Sequence, residues 1–143
     1  MRYAVRALAH WAGEYKASVA LAVVYIDEAH ASDEWPISSA RDAPRGEPVT
    51  IAAHRALPDR LAAARALADD FALPAAGVAV LADAMDNAFR VAYAAWPIRW
   101  ALLEAAPGGG AVTLAAIGEP EESSFDLSLV AEAIEAFRDR AAA

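Results

Sequence analysis

The residues best equipped for chemistry stand close together. Tyr25, Asp27, Glu28, His30, Asp33, Glu34 and Trp35 follow one another at the end of an apolar run, residues 19–26. Carboxylates hold and release protons, and an imidazole does so near neutral pH. On an extended backbone alternate residues share a face, so Glu28 and His30 are expected to point to one side. Such a pair would raise the histidine pKa and fix its tautomer. It could bind a phenol or a carboxylate, or act as an acid–base pair. It could also be no more than a hydrogen-bond network within a loop.

A nucleophile is what this cluster lacks. The sequence has no cysteine, which excludes structural disulfides, thiolate metal sites and dithiol redox chemistry for this chain alone. Glu28, His30, His54 and Asp83 offer nitrogen and oxygen ligands of the kind metals use. Their spacing follows no established motif, so neither a metal nor a cofactor is expected. The segment Pro107-Gly108-Gly109-Gly110 lacks the lysine and the following helix of a phosphate loop and reads as a turn.

The elements that must hold these groups can be read from periodicity. Residues 2–16 predict a helix with Val5, Leu8, Ala9, Ala12 and Tyr15 on one stripe. Residues 19–26 are apolar on both faces and predict a strand covered on both sides. Residues 36–50 carry Pro36, Pro44, Gly46 and Pro48 and predict a long loop. A helix over 58–71 opens on Pro58 and buries Leu57, Leu61, Ala64, Ala68 and Phe71, with Arg60 and Arg65 facing out. Residues 77–82 predict a second strand, and Asp83 is placed to cap a short helix over 85–93. Two apolar runs, 99–105 and 111–117, predict a hairpin around the glycine turn. Residues 118–126 predict an acidic loop, and Asp126 can cap a last helix over 127–141.

Composition sets outer limits. The chain has 143 residues, 58% of them hydrophobic, and a formal net charge of −8. It reads as a single domain over 1–143, large enough to bury a core. The acidic balance argues against nucleic acid or an anionic membrane as partner. No window approaches the ~18 apolar residues of a membrane span. The N-terminus shows no signal-peptide pattern, so the expected location is the cytoplasm.

Three segments carry a resemblance. They are Tyr-Ile-Asp-Glu-Ala-His-Ala-Ser-Asp-Glu-Trp at 25–35, His-Arg-Ala-Leu-Pro-Asp-Arg-Leu at 54–61, and Val-Leu-Ala-Asp-Ala-Met-Asp-Asn running into Tyr-Ala-Ala-Trp-Pro-Ile-Arg at 80–99. In this order they resemble the iodothyronine deiodinase family, a branch of the thioredoxin-fold superfamily. The resemblance implies a thioredoxin-like three-layer α/β fold with a central mixed sheet of about four strands, the first family strand being absent. It implies that Glu28 and His30 match the family's acid and histidine near the active site and the phenolic substrate. Trp35 matches the aromatic that follows them, and His54 a second family histidine. Pro97 matches the cis-proline beside the redox centre, and Trp96, with Trp35, would lie near the cleft. Two departures stand out. The family's opening strand and its Gly-Ser-Cys-Thr-(selenocysteine or cysteine) turn would fall before residue 1. Its Gly-x-Gly-Pro loop is replaced by Gly118-Glu119-Pro120-Glu121-Glu122.

Together these features lead to the expectation of a degenerate redox domain. It would serve as a binding or accessory protein for a small aromatic or carboxylate ligand, or for a protein partner. An enzyme using Glu28 and His30 with or without metal, and a truncated thiol- or selenol-dependent reductase, are the alternatives. The open edges of 19–26 and 99–105 invite pairing. The gap could close within the chain, a partner could donate a strand, or a homodimer could form; the homodimer is the expectation.

Overall fold

A computed structural model describes residues 2–36, 49–106, 108–118 and 127–142. The chain is mixed α/β and divides into two compact units, residues 1–92 and 93–143. Among the described residues no helix is long and apolar enough to cross a membrane.

The first unit opens with α1 (Arg2–Glu14). Val5, Leu8 and Ala12 recur at helical spacing and face the core, and Trp11 and Tyr15 are buried. The helix ends past Gly13, where the amides of Ser18 and Val19 close on the Tyr15 carbonyl. Strand β1 (Ala22–Tyr25) follows, then α2 (Leu57–Asp70) and β2 (Ala79–Ala82). β1 and β2 are parallel, with Val23 opposite Val80 and Val24 opposite Leu81. Parallel neighbours need a crossover between them, and α2 lies within it. Leu73 and Val78, after α2, form the buried centre with Ala12, against which Val23, Phe71 and Val80 pack.

Three expectations are corrected here. The strand predicted over 19–26 contracts to four residues, three of them half-buried and Ala22 exposed; a two-strand ladder covers less than the apolar run could fill. Arg60 does not face out. It is 2% exposed, and its Nη1 donates to the carbonyls of Asp83 (3.2 Å) and Ala84 (2.7 Å). Those carbonyls follow the end of β2, and a buried carbonyl needs a donor. The buried face of α2 accordingly runs through Arg60, Ala63, Ala64, Leu67 and Ala68, while Leu57 is exposed. The third correction concerns the short helix. It begins at Ala88, as α3 (Ala88–Tyr93), and Asp83 caps it from five residues upstream. Its carboxylate accepts from the amides of Ala84, Phe89 and Arg90 at 2.9–3.0 Å. The turn between is made possible by Asn87 at φ 57°, a conformation asparagine tolerates.

The second unit holds the hairpin of β3 (Ala101–Ala105) and β4 (Val112–Ile117), antiparallel with a bulge between Leu102 and Leu103. Gly108 and Gly109 stand at φ 83° and 81°, which glycine adopts at no steric cost. Gly118, after β4, lies so close to the Trp100 ring that no side chain fits there. Arg99 donates to the carbonyls of Gly118 and Tyr93. Helix α4 (Leu127–Ala142) buries Ile134. The expected Asp126 cap, most of the acidic loop over 118–126 and most of the 36–50 loop lie outside the described residues.

Each unit thus has a two-stranded sheet, β1-β2 in the first and β3-β4 in the second. The expected central sheet of about four strands is not seen among the described residues: no strand of one ladder pairs with a strand of the other.

Candidate functional site

The polar stretch begins where β1 stops. Beyond Tyr25 the ladder gives one more bond, from the Asp83 amide to the Tyr25 carbonyl (2.8 Å), and then the chain leaves the sheet. The loop turns at Ala29 and His30. With the extended backbone lost, the two-residue alternation that would put Glu28 beside His30 is lost too. Glu28 instead accepts a short hydrogen bond from the Tyr25 hydroxyl, Oη to Oε2 2.6 Å. No hydrogen bond or ion pair joins Glu28 to His30. The His30 imidazole turns toward Trp35: Nδ1 lies 3.2 Å from the Trp35 carbonyl, and the rings meet edge-on at 5.3 Å. A carbonyl can only accept, so Nδ1 carries a proton. Trp35 itself is 71% exposed.

His54 reaches the same place from a different segment. Residues 49–55 run beside the loop and are tied to it: the Ser32 amide donates to the Ile51 carbonyl (2.8 Å), and the Ala53 amide to Asp33 Oδ1 (2.7 Å). Arg55 adds an ion pair to Asp33 Oδ2 at 3.0 Å. The Ala53 amide and then Arg55 hold the Asp33 carboxyl below its ordinary pKa. Asp59 in turn accepts from the amides of Arg55 and Ala56 and so starts α2. Between these tethers the His54 ring packs on Tyr25, centroids 5.8 Å apart and tilted by 55°. Both its nitrogens are buried without a hydrogen-bond partner among the described residues. Burial first, and then the Arg60 guanidinium, push its pKa below the ordinary value, against the pull of Glu28, Asp59 and Asp27. At neutral pH this is a neutral imidazole.

Tyr25, Glu28 and His54 therefore form one cluster at the carboxyl end of β1, with His30 and Trp35 a second pair on the same loop. Asp27 is linked to α3 through Arg90, Nε to Oδ1 3.5 Å. Glu28, His30, His54 and Asp83 do not gather as metal ligands: among the described residues no three histidine or carboxylate groups converge enough to hold an ion. Trp96 and Pro97 belong to the second unit. Their peptide bond is cis, Trp96 is exposed and Pro97 half-buried.

Sequence reasoning singled out the imidazoles and Glu28 but assigned no role to the Tyr25 hydroxyl, Arg60, or the Asp33–Arg55 tether. The Tyr25–Glu28 spacing of three was readable once a turn was assumed. Asp33 and Arg55 stand 22 positions apart, and no local pattern marks them.

A carboxylate and an imidazole gathered at the carboxyl end of a parallel strand define only a broad class of small α/β proteins. Comparison with known proteins narrows it. Residues 3–110 match the family model described as iodothyronine deiodinase. The chain is 35% identical over 91 residues to the type I iodothyronine deiodinase of Xenopus laevis, covering 64% of this chain and 31% of that protein. It is 36% identical over 83 residues to the thyroxine 5-deiodinase of Rattus norvegicus, 58% of this chain and 24% of the relative. It is 45% identical over 73 residues to the type II iodothyronine deiodinase of Gallus gallus, 50% of this chain and 24% of the relative. The chain belongs to the iodothyronine deiodinase family. It matches between 24% and 31% of the length of these relatives.

Proposed function

We propose that this chain is a thioredoxin-like, deiodinase-related binding domain without redox chemistry of its own. Family membership and the order of helices, parallel strands and hairpin support the fold. One observation carries the function. Tyr25, Glu28 and a neutral His54 gather as hydrogen-bonding groups, yet the chain contains no cysteine to act as thiolate nucleophile beside them. Such a cluster can recognise a phenol through its hydroxyl. The exposed Trp35 indole offers a face on which an aromatic ring can stack.

The names of the relatives suggest the probe. An iodinated thyronine such as thyroxine joins a phenol, a second aromatic ring and a carboxylate. Saturable quenching of tryptophan fluorescence by thyroxine, weakened in Trp35→Ala and in Glu28→Gln, is the expected result. Binding that is unchanged in both variants would remove the site from the account.

The proposal includes a homodimer. β1 reads Ala22-Val23-Val24-Tyr25, with no charge, proline or bulge to guard an open edge, and among the described residues only β2 pairs with it. A second copy would satisfy that edge by symmetric pairing. A monomeric mass by light scattering at micromolar concentration contradicts this part.

A further inference from the structure

We propose that residues 49–55 form an acid-released strap: the segment is held against the loop after β1 while His54 is neutral, and protonation of His54 frees it. The geometry carries the idea. The strap is fixed at Ile51 by the Ser32 amide, at Ala53 and Arg55 by Asp33, and at its far end by Asp59. In the middle sits an imidazole whose two nitrogens are buried and unpartnered among the described residues. In the neutral state that leaves one N–H and one lone pair unsatisfied. A second proton would add a charge and another orphan donor, which a buried site does not tolerate unless a partner moves in.

Among the described residues, the groups facing His54 come from three places. Tyr25 comes from β1, Asp27 and Glu28 from the loop that follows, and Asp59 and Arg60 from α2. The three carboxylates favour the cation, but Glu28 is engaged with the Tyr25 hydroxyl and Asp59 with two backbone amides. Arg60 and burial oppose it and prevail, so the folded histidine titrates below the ordinary value of 6.5. A group with a lowered pKa binds its proton more tightly in the open form. Opening therefore becomes more favourable as pH falls below 6.5, by at most about tenfold per pH unit until the folded pKa is reached. The Asp33 tethers oppose release throughout this window, since Asp33 itself titrates lower.

The test is amide hydrogen exchange of the full chain at pH 7.5 and 5.5, corrected for intrinsic rates. Protection of residues 50–55 is expected to fall on acidification, by up to about tenfold, in the unmodified chain and in His30→Gln. The fall should vanish in His54→Gln. No fall in the unmodified chain, or an equal fall in His54→Gln, overturns the proposal. Should His54→Gln not fold, the His54 imidazole can be titrated by NMR in the unmodified chain. A midpoint below 6.5, together with broadening of the 50–55 amides, supports release; a midpoint at or above 6.5 overturns it.

Discussion

Replacing Arg60 by methionine tests how the site is held up. The guanidinium is 2% exposed and donates to the carbonyls of Asp83 and Ala84 at 3.2 and 2.7 Å. Methionine keeps much of the volume and removes both bonds. A hydrogen bond from a charged group contributes about 1.5–3 kcal/mol, and the second, longer bond contributes less. Against this, removing the charge relieves part of its desolvation cost. A net loss of about 2–4 kcal/mol is expected, read from urea unfolding followed by circular dichroism. For a chain of this size that corresponds to a Tm lower by roughly 7–13 °C. A second readout is independent of stability. Arg60 is one of the two causes that lower the His54 pKa, so the variant should titrate His54 closer to 6.5 than the unmodified chain does. A loss under about 1 kcal/mol with an unmoved His54 titration would refute the structural role given to Arg60.

Other predictions rest on single contacts. Asp83→Ala removes the acceptor for the Phe89 and Arg90 amides at the start of α3 and for the Ala84 amide before it, and should cost about 1–2 kcal/mol in chemical denaturation. Gly118→Ala drives a methyl group into the Trp100 ring, so a loss of about 1–3 kcal/mol and a changed tryptophan emission are expected. Asp33 has a folded pKa below its ordinary 3.8, so its contribution is present above that value and is lost as pH falls through the folded pKa. Asp33→Asn should therefore flatten the acid limb of the stability curve below about pH 4 and leave the limb near pH 6 unchanged.

Much of the framework was legible because the helices carry their own signal. The stripe of Val5, Leu8 and Ala12 and the glycine turn at 108–110 need only local sequence to be read. What escaped depended on distance along the chain. Arg60 looked like an outward charge because nothing within its own helix shows that carbonyls 23 and 24 positions later need a donor. Glu28 and His30 looked like neighbours because the strand was carried past Tyr25; the turn at Ala29 and His30 sends one to the Tyr25 hydroxyl and the other to Trp35. His54 was found through resemblance to the family, but its contact with the Tyr25 ring came from the tether at Asp33, which periodicity does not encode. The four-strand sheet is implied by the family resemblance, and neither resemblance nor element order fixes which strands share hydrogen bonds.

The function proposed for this chain is binding without turnover. The most direct measurement incubates the purified 143-residue chain with thyroxine and dithiothreitol and follows both binding and free iodide. Saturable binding is expected, with iodide no higher than in the buffer control. Iodide released in proportion to protein, or no binding at any accessible concentration, would contradict it.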